Sequence, residues 1–257
     1  MVVKMRSVIF SFNAIAALML LLMSTLINAQ QVIQVATFNV PFATVIREVM
    51  LEAYQRADIK AKVMYYPGNR ALKMSSTGAT DAELYRISSI DKLYPDLVKI
   101  PVPLYLFEIR AFSKNVDFKP DGWESMKGYK LGVINGVKIT EKLTEGLQVE
   151  AVNDLQHMFA LLESERIDLA LTTRVAGNIS LKELNFKHIK ALDPPVYSFP
   201  VFHFVHKSNS YLVPILTDVL TQMSNQGRIQ EIITARLEII YNAIEPATAG
   251  NPIKLKN

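Results

Sequence analysis

Apolar positions along this chain alternate between two periods. Phe42, Val45, Ile46, Val49, Met50, Ala53 and Tyr54 recur at three and four residues behind Pro41. That is one stripe of an amphipathic helix, opened by a proline whose missing N–H is not needed in a first turn. Val32 to Phe38 before it and Ala61 to Tyr65 after it read as short apolar strands. Asn69 to Ser75 predicts a short helix with Asn69 as cap and Gly78 as stop, and Ala82 to Tyr85 predicts a third strand. A βαβαβ opening of this kind calls for a mostly parallel sheet with helices on its faces.

Between Asp91 and Tyr105 three prolines, Pro95, Pro101 and Pro103, exclude a long regular element. Leu106 to Ser113 is again a strand. A second βα series follows. Lys130 to Ile134 is a strand ending in Asn135-Gly136, with a helix from about Lys138 and a strand over Val149 to Val152. Asn153 or Asp154 caps the next helix, which turns Leu155, Met158, Phe159 and Leu162 inward. Ile167 to Leu171 and Ile189 to Leu192 are strands, with a helix over Val175 to Leu184 between them. Phe199 to His206 is a late strand, with Pro200 at its edge or start. Leu212, Ile215, Leu216, Val219, Leu220 and Met223 form a helix stopped by Gly227, and Ile229 to Ile240 a last one. Thr248 to Asn257 reads as a loose tail. No Gly/Ser linker or internal repeat divides the chain.

These are two successive α/β units. The first is short of helices to cover its sheet, and the last helices need a partner. A chain that starts in one lobe, crosses to a second and returns satisfies both. Ligands of such folds lie in the interlobe cleft, at the carboxyl ends of strands.

The length, 257 residues with half of them hydrophobic and a fifth charged, suits a globular fold with a sizeable core. The basic start at Lys4 and Arg6, the apolar run from Val8 to Met23 and Ala29 read as a secretory signal peptide, residues 1–29. The absence of cysteine excludes disulfides, thiolate metal sites, a cysteine nucleophile and a lipoprotein anchor, and fits a bacterial periplasm. Removing Lys4 and Arg6 lowers the net charge from +4 to +2. With no clustered lysines and arginines between aromatics, nucleic-acid binding has no support.

The stretch Tyr65 to Ile87 carries the densest candidate chemistry. Arg70 and Arg86 fall where strand ends meet a helix start, with Tyr65, Tyr66, Tyr85 and Tyr94 nearby. A helix N-terminus and a guanidinium together suit an anionic group, and solvated or structural arginines are the plainer alternative. His203 and His206 sit three apart on a strand, pointing to opposite faces, and call for structural roles rather than a shared metal. No nucleophile elbow, phosphate loop or HExxH motif is present. Glu83 is the nearest candidate for a general acid or base; the alternative is a carboxylate turned away and paired with a lysine.

Pieces spread over the whole mature chain resemble the family 3 bacterial extracellular solute-binding proteins, the periplasmic amino-acid-binding type. They are FNVPF from Phe38, Gly78 to Leu84, Ala111 to Lys114, WESMKGYKLGVINGV from Trp123, LLESERIDLAL from Leu161, FHFVHKSN from Phe202 and MSNQGRIQEI from Met223. The resemblance implies an α/β, two-lobed periplasmic-binding-protein fold (type II) that closes about two hinge strands. Lobe one takes residues 30–110 and the return helices 205–244, lobe two residues 111–204, and residues 245–257 form a flexible tail.

The family's ligand residues carry over in part. Asn39 stands where an aromatic packs on the ligand, Leu93 where an arginine grips the carboxylate, and Thr172-Thr173-Arg174 where an acid holds the amine. Asn135-Gly136-Val137 matches the turn that offers backbone amides. The expected site is therefore Asn39, Tyr65, Arg70, Tyr85, Arg86, Asn135, Gly136, Thr173 and Arg174, with no acid facing the arginines. It suits a small polar or anionic metabolite better than an ordinary α-amino acid. The expected protein is a monomeric periplasmic binder without cofactor, not an enzyme, that serves an ABC permease or a sensor kinase. A protein interaction or sensor-accessory module without transport, and a periplasmic enzyme such as a dehydratase or glycan lyase, are the alternatives.

Overall fold

The first helix forms where the apolar stripe demands it. α1 (Pro41–Arg56) follows β1 (Ile33–Phe38) and buries Phe42, Ala43, Val45, Ile46, Val49, Met50, Ala53 and Tyr54. The computed structural model describes residues 32–244; the expected signal peptide and tail lie outside them. β2 (Ala61–Tyr66), α2 (Gly68–Ser76) and β3 (Ala82–Ile87) complete the first series. The proline-rich stretch holds only a one-turn α3 (Ile90–Leu93) and a three-residue β4 (Leu97–Lys99). β5 (Tyr105–Ser113) leads to a 3-10 turn at Trp123–Met126. Then come β6 (Leu131–Ile134), α4 (Lys138–Leu143), β7 (Val149–Val152), α5 (Leu155–Glu163), β8 (Leu169–Thr173), α6 (Arg174–Leu184) and β9 (Lys190–Ala191). β10 (Tyr197–His206), α7 (Leu212–Asn225) and α8 (Arg228–Ala243) close the chain.

The main path of the sheet runs β2-β1-β3-β10-β5-β8-β6-β7. β1 is parallel to β2 and β3, and β6 is parallel to β7 and β8. Between these parallel halves run β10 and β5, antiparallel to each other with Phe199 opposite Phe107 and Val201 opposite Tyr105. β10 pairs antiparallel with β3 and β5 with β8, so these two strands carry the sheet from one half to the other.

Buried apolar side chains group accordingly. One cluster joins β1 and β3 to α1, α7 and α8. Two others pack around β6, β8, α5 and the end of β5, centred on Phe112, Met158 and Phe159 and on Leu131, Val133 and Leu169. Val175 of α6 is buried in the first cluster, and the Lys182 ammonium donates to the Tyr241 carbonyl of α8. α8 is also tied to α1 by Arg228–Glu52 at 2.9 Å and Arg236–Glu48 at 3.0 Å. No helix among the described residues is long and apolar enough to cross a membrane.

Some expectations need correction. Asn69 does not cap α2; Pro67 occupies that place without a side-chain bond, because its fixed φ already directs the chain into the helix. Asp154, not Asn153, caps α5, accepting from the His157 N–H at 2.7 Å. Leu155 is only half-buried, and Ile215 is 40% exposed because α7 turns a narrower stripe inward, Leu212, Leu216, Leu220 and Met223. The strand expected over Ile167 to Leu171 is shifted to Leu169–Thr173.

Two glycines are demanded by their surroundings. Gly78 ends the α2 turn at φ +75°, and a Cβ there would meet the His206 ring at 2.9 Å. A Cβ at Gly177 would meet the Phe112 ring at 2.2 Å, so α6 reaches its place only with a bare backbone at that point.

His203 is fully buried. Its Nδ1–H donates to the Leu84 carbonyl at 3.1 Å, which leaves Nε2 to accept from the Tyr54 hydroxyl at 2.9 Å. Desolvation lowers its pKa to about 4, against a smaller opposing effect of the carbonyl. The unfolded chain takes up the proton near pH 6.5 and the folded chain only near 4, so stability falls as pH drops across that window. Urea unfolding of His203→Gln should lose about 3 kcal/mol less than the parent between pH 7 and pH 4. Equal pH dependence in the two proteins would contradict the assignment.

Candidate functional site

The expected site residues fall into separate settings. Asn39, just past β1, is exposed, and Tyr65 at the end of β2 is 38% exposed. Arg70 is exposed on α2, its guanidinium 5.7 Å from the centre of the Tyr66 ring. Leu93, where the resemblance places an arginine, is 74% exposed at the end of α3.

Tyr85 is only 5% exposed, so it belongs to the first core and offers a ligand no open face; burial raises its phenol. It is buried because β3 lies between β1 and β10, with the rings of Phe38 and Phe42 packed on it at 5.2 and 6.2 Å.

Arg86 next to it does two things. Its Nε donates to Glu83 at 2.7 Å, and its guanidinium lies 4.6 Å from the centre of the Phe38 ring. Glu83 is fully buried, and Ser75 donates to its other oxygen at 2.7 Å. Burial raises the Glu83 pKa against the pull of Arg86 and Ser75. The expected alternative, a carboxylate paired with a lysine, is thus corrected to a buried Arg–Glu pair, whose two members flank the register irregularity between β3 and β10.

In the second half, Asn135 donates to the Asn153 side chain at 2.9 Å. Gly136 adopts φ +80°, and its N–H is taken by the Glu141 carboxylate at 2.7 Å. Thr173 caps α6, its hydroxyl accepting from the Ala176 N–H at 3.3 Å. Arg174 donates to Glu108 at 2.6 Å, and Arg110 reaches the same oxygen at 2.9 Å. Asp193 stands beside both arginines. The expectation that the arginines have no facing acid is therefore overturned: Glu108 arrives from β5, through the antiparallel pairing of β5 with β8.

Arg174 and Glu108 lie on the wall of a groove of about 530 Å³. Tyr105 and Leu106 of β5 line it on one side, and Ser224, Gly227 and Gln230 at the α7–α8 turn on the other. That volume is within the range of small-molecule sites. Burial pushes the Tyr105 phenol up to about 12, so it is a neutral hydrogen-bonding group there.

From Tyr105 a row of rings runs along the central strands. Tyr105 and Phe42 are 4.7 Å apart, Phe42 and Phe107 4.7 Å, Phe107 and Phe199 5.6 Å, Phe199 and Tyr197 6.1 Å, and Tyr197 and Trp123 6.5 Å. Tyr105, Phe107, Phe199, Tyr197 and Glu108 were not among the expected site residues. The rings have a legible signal, an aromatic-x-aromatic repeat in both Tyr105-Leu106-Phe107 and Tyr197-Ser198-Phe199, which on strands puts both rings on one face. Glu108 has none, since its partner is 66 residues away.

No family model matches the sequence. An "uncharacterized protein" of Shewanella oneidensis is 25% identical over 169 residues, a match that spans 63% of this chain and 64% of that protein's length. Solved structures match over more of the chain. The GluR0 ligand-binding core in complex with L-glutamate has TM-score 0.66 at 12% identity, covering 81% of this chain and 99% of its own. A histidine kinase sensor domain with similarity to periplasmic binding proteins has TM-score 0.63 at 13% identity, covering 82% and 97%. AbpA, an amino acid ABC transporter substrate-binding protein of Streptococcus pneumoniae bound to L-arginine, has TM-score 0.62 at 12% identity, covering 85% and 98%. The chain therefore has the two-lobed periplasmic-binding-protein fold.

Removing one partner of the Glu83–Arg86 pair strands a buried charge. Arg86→Met should cost about 2–3 kcal/mol in urea unfolding near pH 7. The double variant Glu83→Gln/Arg86→Met should recover most of that loss. A double variant as unstable as Arg86→Met alone would show that the pair does not set the cost.

Proposed function

We propose that the chain is a periplasmic solute-binding protein that captures a small polar or anionic metabolite between its lobes, for ABC-type uptake or for sensing. The observation that carries this reading is the groove at Tyr105, Glu108 and Arg174. There α6 and the α7–α8 turn face each other across a space of about 530 Å³, walled by a charged pair. In this reading residues 30–110 and 205–244 form the first lobe, 111–204 the second, and β5 and β10 the hinge. A ligand that touches both sides shifts the population toward the closed form. Amino-acid binders and a kinase sensor domain of the same fold support a binding role in an extracytoplasmic setting, with a permease or a sensor kinase as partner.

One observation favours a second reading, a sensor-accessory or interaction module. Three of the expected ligand contacts are already met within the chain: Gly136 by Glu141, Arg174 by Glu108, and Arg86 by Glu83. A chain that satisfies its own site has less need of a solute.

A thermal-shift screen of small metabolites on the mature protein separates the two. A ligand at about 100 times its Kd stabilises by ~2.7 kcal/mol, an upward shift of about 5–10 °C for a chain of this size. The shift should be lost in Arg174→Ala and kept in Arg70→Ala. No shift from a broad panel would overturn the solute-binding reading.

A further inference from the structure

We propose that the β2 edge of the sheet is a docking surface for an extended segment of a partner protein in which acidic and apolar residues alternate. The β2 edge shares no residue with the lining of the groove at Tyr105, Glu108 and Arg174, and a partner there is independent of any solute.

The first observation is an open backbone edge. β2 ends the sheet, with β1 as its one neighbour among the described strands. The Ile33 N–H donates to the Lys60 carbonyl at 2.8 Å, and the parallel register sets Ile33 beside Ala61 and Phe38 beside Tyr66. In such a ladder alternate residues turn their N–H and C=O toward the neighbour, here Lys62, Met64 and Tyr66. The backbone groups of Ala61, Val63 and Tyr65 therefore point outward, a row that can pair with one more strand.

The second observation is charge. From Ile59 to Thr80 the sequence holds Lys60, Lys62, Arg70 and Lys73 and no Asp or Glu. All four are exposed, and no acid among the described residues is within ion-pair distance of any of them. Basic groups on the neighbouring helices differ: Arg47, Arg56, Arg228 and Arg236 are each taken by Glu48 or Glu52. The far edge of the sheet differs too, since Glu150 of β7 lies 3.2 Å from the Lys130 ammonium.

The two faces of the β2 edge set the pattern of the partner. Lys62 and Tyr66 share the face that α2 covers, where the Arg70 guanidinium lies 5.7 Å from the centre of the Tyr66 ring. On the other face Val63 packs half-buried against the first core, and Tyr65 is 38% exposed. An added strand alternates its side chains in the same way. Residues it places on the α2 side meet Lys62, Arg70 and Lys73 and suit carboxylates; those on the other side meet Val63 and Tyr65 and suit apolar groups. A flat anionic bilayer would meet the cations without using the outward backbone row, so a peptide strand fits better.

Fluorescence anisotropy of the mature protein tests this with the labelled peptide Glu-Val-Glu-Val-Glu-Val-Glu. It should bind at least about tenfold more tightly than Lys-Val-Lys-Val-Lys-Val-Lys, and than Glu-Glu-Glu-Glu-Val-Val-Val, which keeps the charge and loses the alternation. Raising the salt from about 50 to about 500 mM should weaken binding. Lys62→Glu/Lys73→Glu should weaken it about tenfold. Val63→Pro removes one outward N–H and leaves the β1 ladder intact, so it should also weaken binding about tenfold at an unchanged melting temperature. If Val63→Pro melts early, hydrogen exchange of the parent decides instead: the peptide should protect the Ala61, Val63 and Tyr65 amides. A solute that shifts the melting temperature of the parent should shift that of Lys62→Glu/Lys73→Glu equally, which keeps this surface separate from the groove. No peptide binding, equal binding of the two Glu–Val peptides, a charge reversal without effect, or binding to phosphatidylglycerol vesicles but to no peptide would overturn the proposal. So would full binding by a folded Val63→Pro, or peptide binding that leaves the three amides unprotected.

Discussion

The candidate groove and the charged pair on its wall depend on the antiparallel pairing of β5 with β10. Tyr197 stands opposite Ile109, Phe199 opposite Phe107 and Val201 opposite Tyr105. On either side the sheet is parallel, β2-β1-β3 with one core and β8-β6-β7 with two others. Side chains alternate along a strand, so this register decides what each face of the centre carries. One face receives Tyr105, Phe107, Tyr197 and Phe199; the other receives Glu108 and Arg110. A slip of one residue would exchange the two sets, burying charge where rings now pack. The same two strands join the two parallel halves of the sheet, so the candidate groove and those halves share one support.

The charged groups around that centre are held by burial as much as by attraction. Glu83 is buried and accepts from Ser75 and Arg86, and burial raises its pKa against the pull of both. Glu108 is more open and accepts from both Arg110 and Arg174. One carboxylate therefore fixes a guanidinium on the β3 side and the other on the α6 side. Such pairs add little net stability, but each holds an arginine in one orientation. A positioned guanidinium recognises planar anions better than a mobile one.

Most of the secondary structure was legible because its causes are local. The stripe from Phe42 to Tyr54, Gly78 past the end of α2, Asp154 before α5 and the prolines around Val102 each act within a few residues. The short β4 was not legible, because three residues become a strand only when β10 lies alongside. Asn69 misled because the cap geometry at Pro67 comes from ring closure and leaves no side-chain signal. The site was legible in part. Arg86 and Arg174 were picked out, but Tyr85 is turned into the core by its place between β1 and β10, and the Glu141 contact closes the Gly136 amide. Glu108 could not be foreseen, since it meets Arg174 only through the pairing of β5 with β8. The aromatic repeats at 105–107 and 197–199 were present in the sequence, and their meaning depends on the two strands lying side by side in register.

The central claim is that one small ligand engages both sides of the molecule across the β5–β10 support. Hydrogen exchange of the mature protein, with and without a metabolite that stabilises it, reads this directly. Binding should slow exchange together in three separate segments: residues 105–108 on β5, 174–182 on α6 and 224–230 at the α7–α8 turn. Protection confined to one of them, or appearing only away from all three, would show that no ligand bridges the groove and would contradict the account.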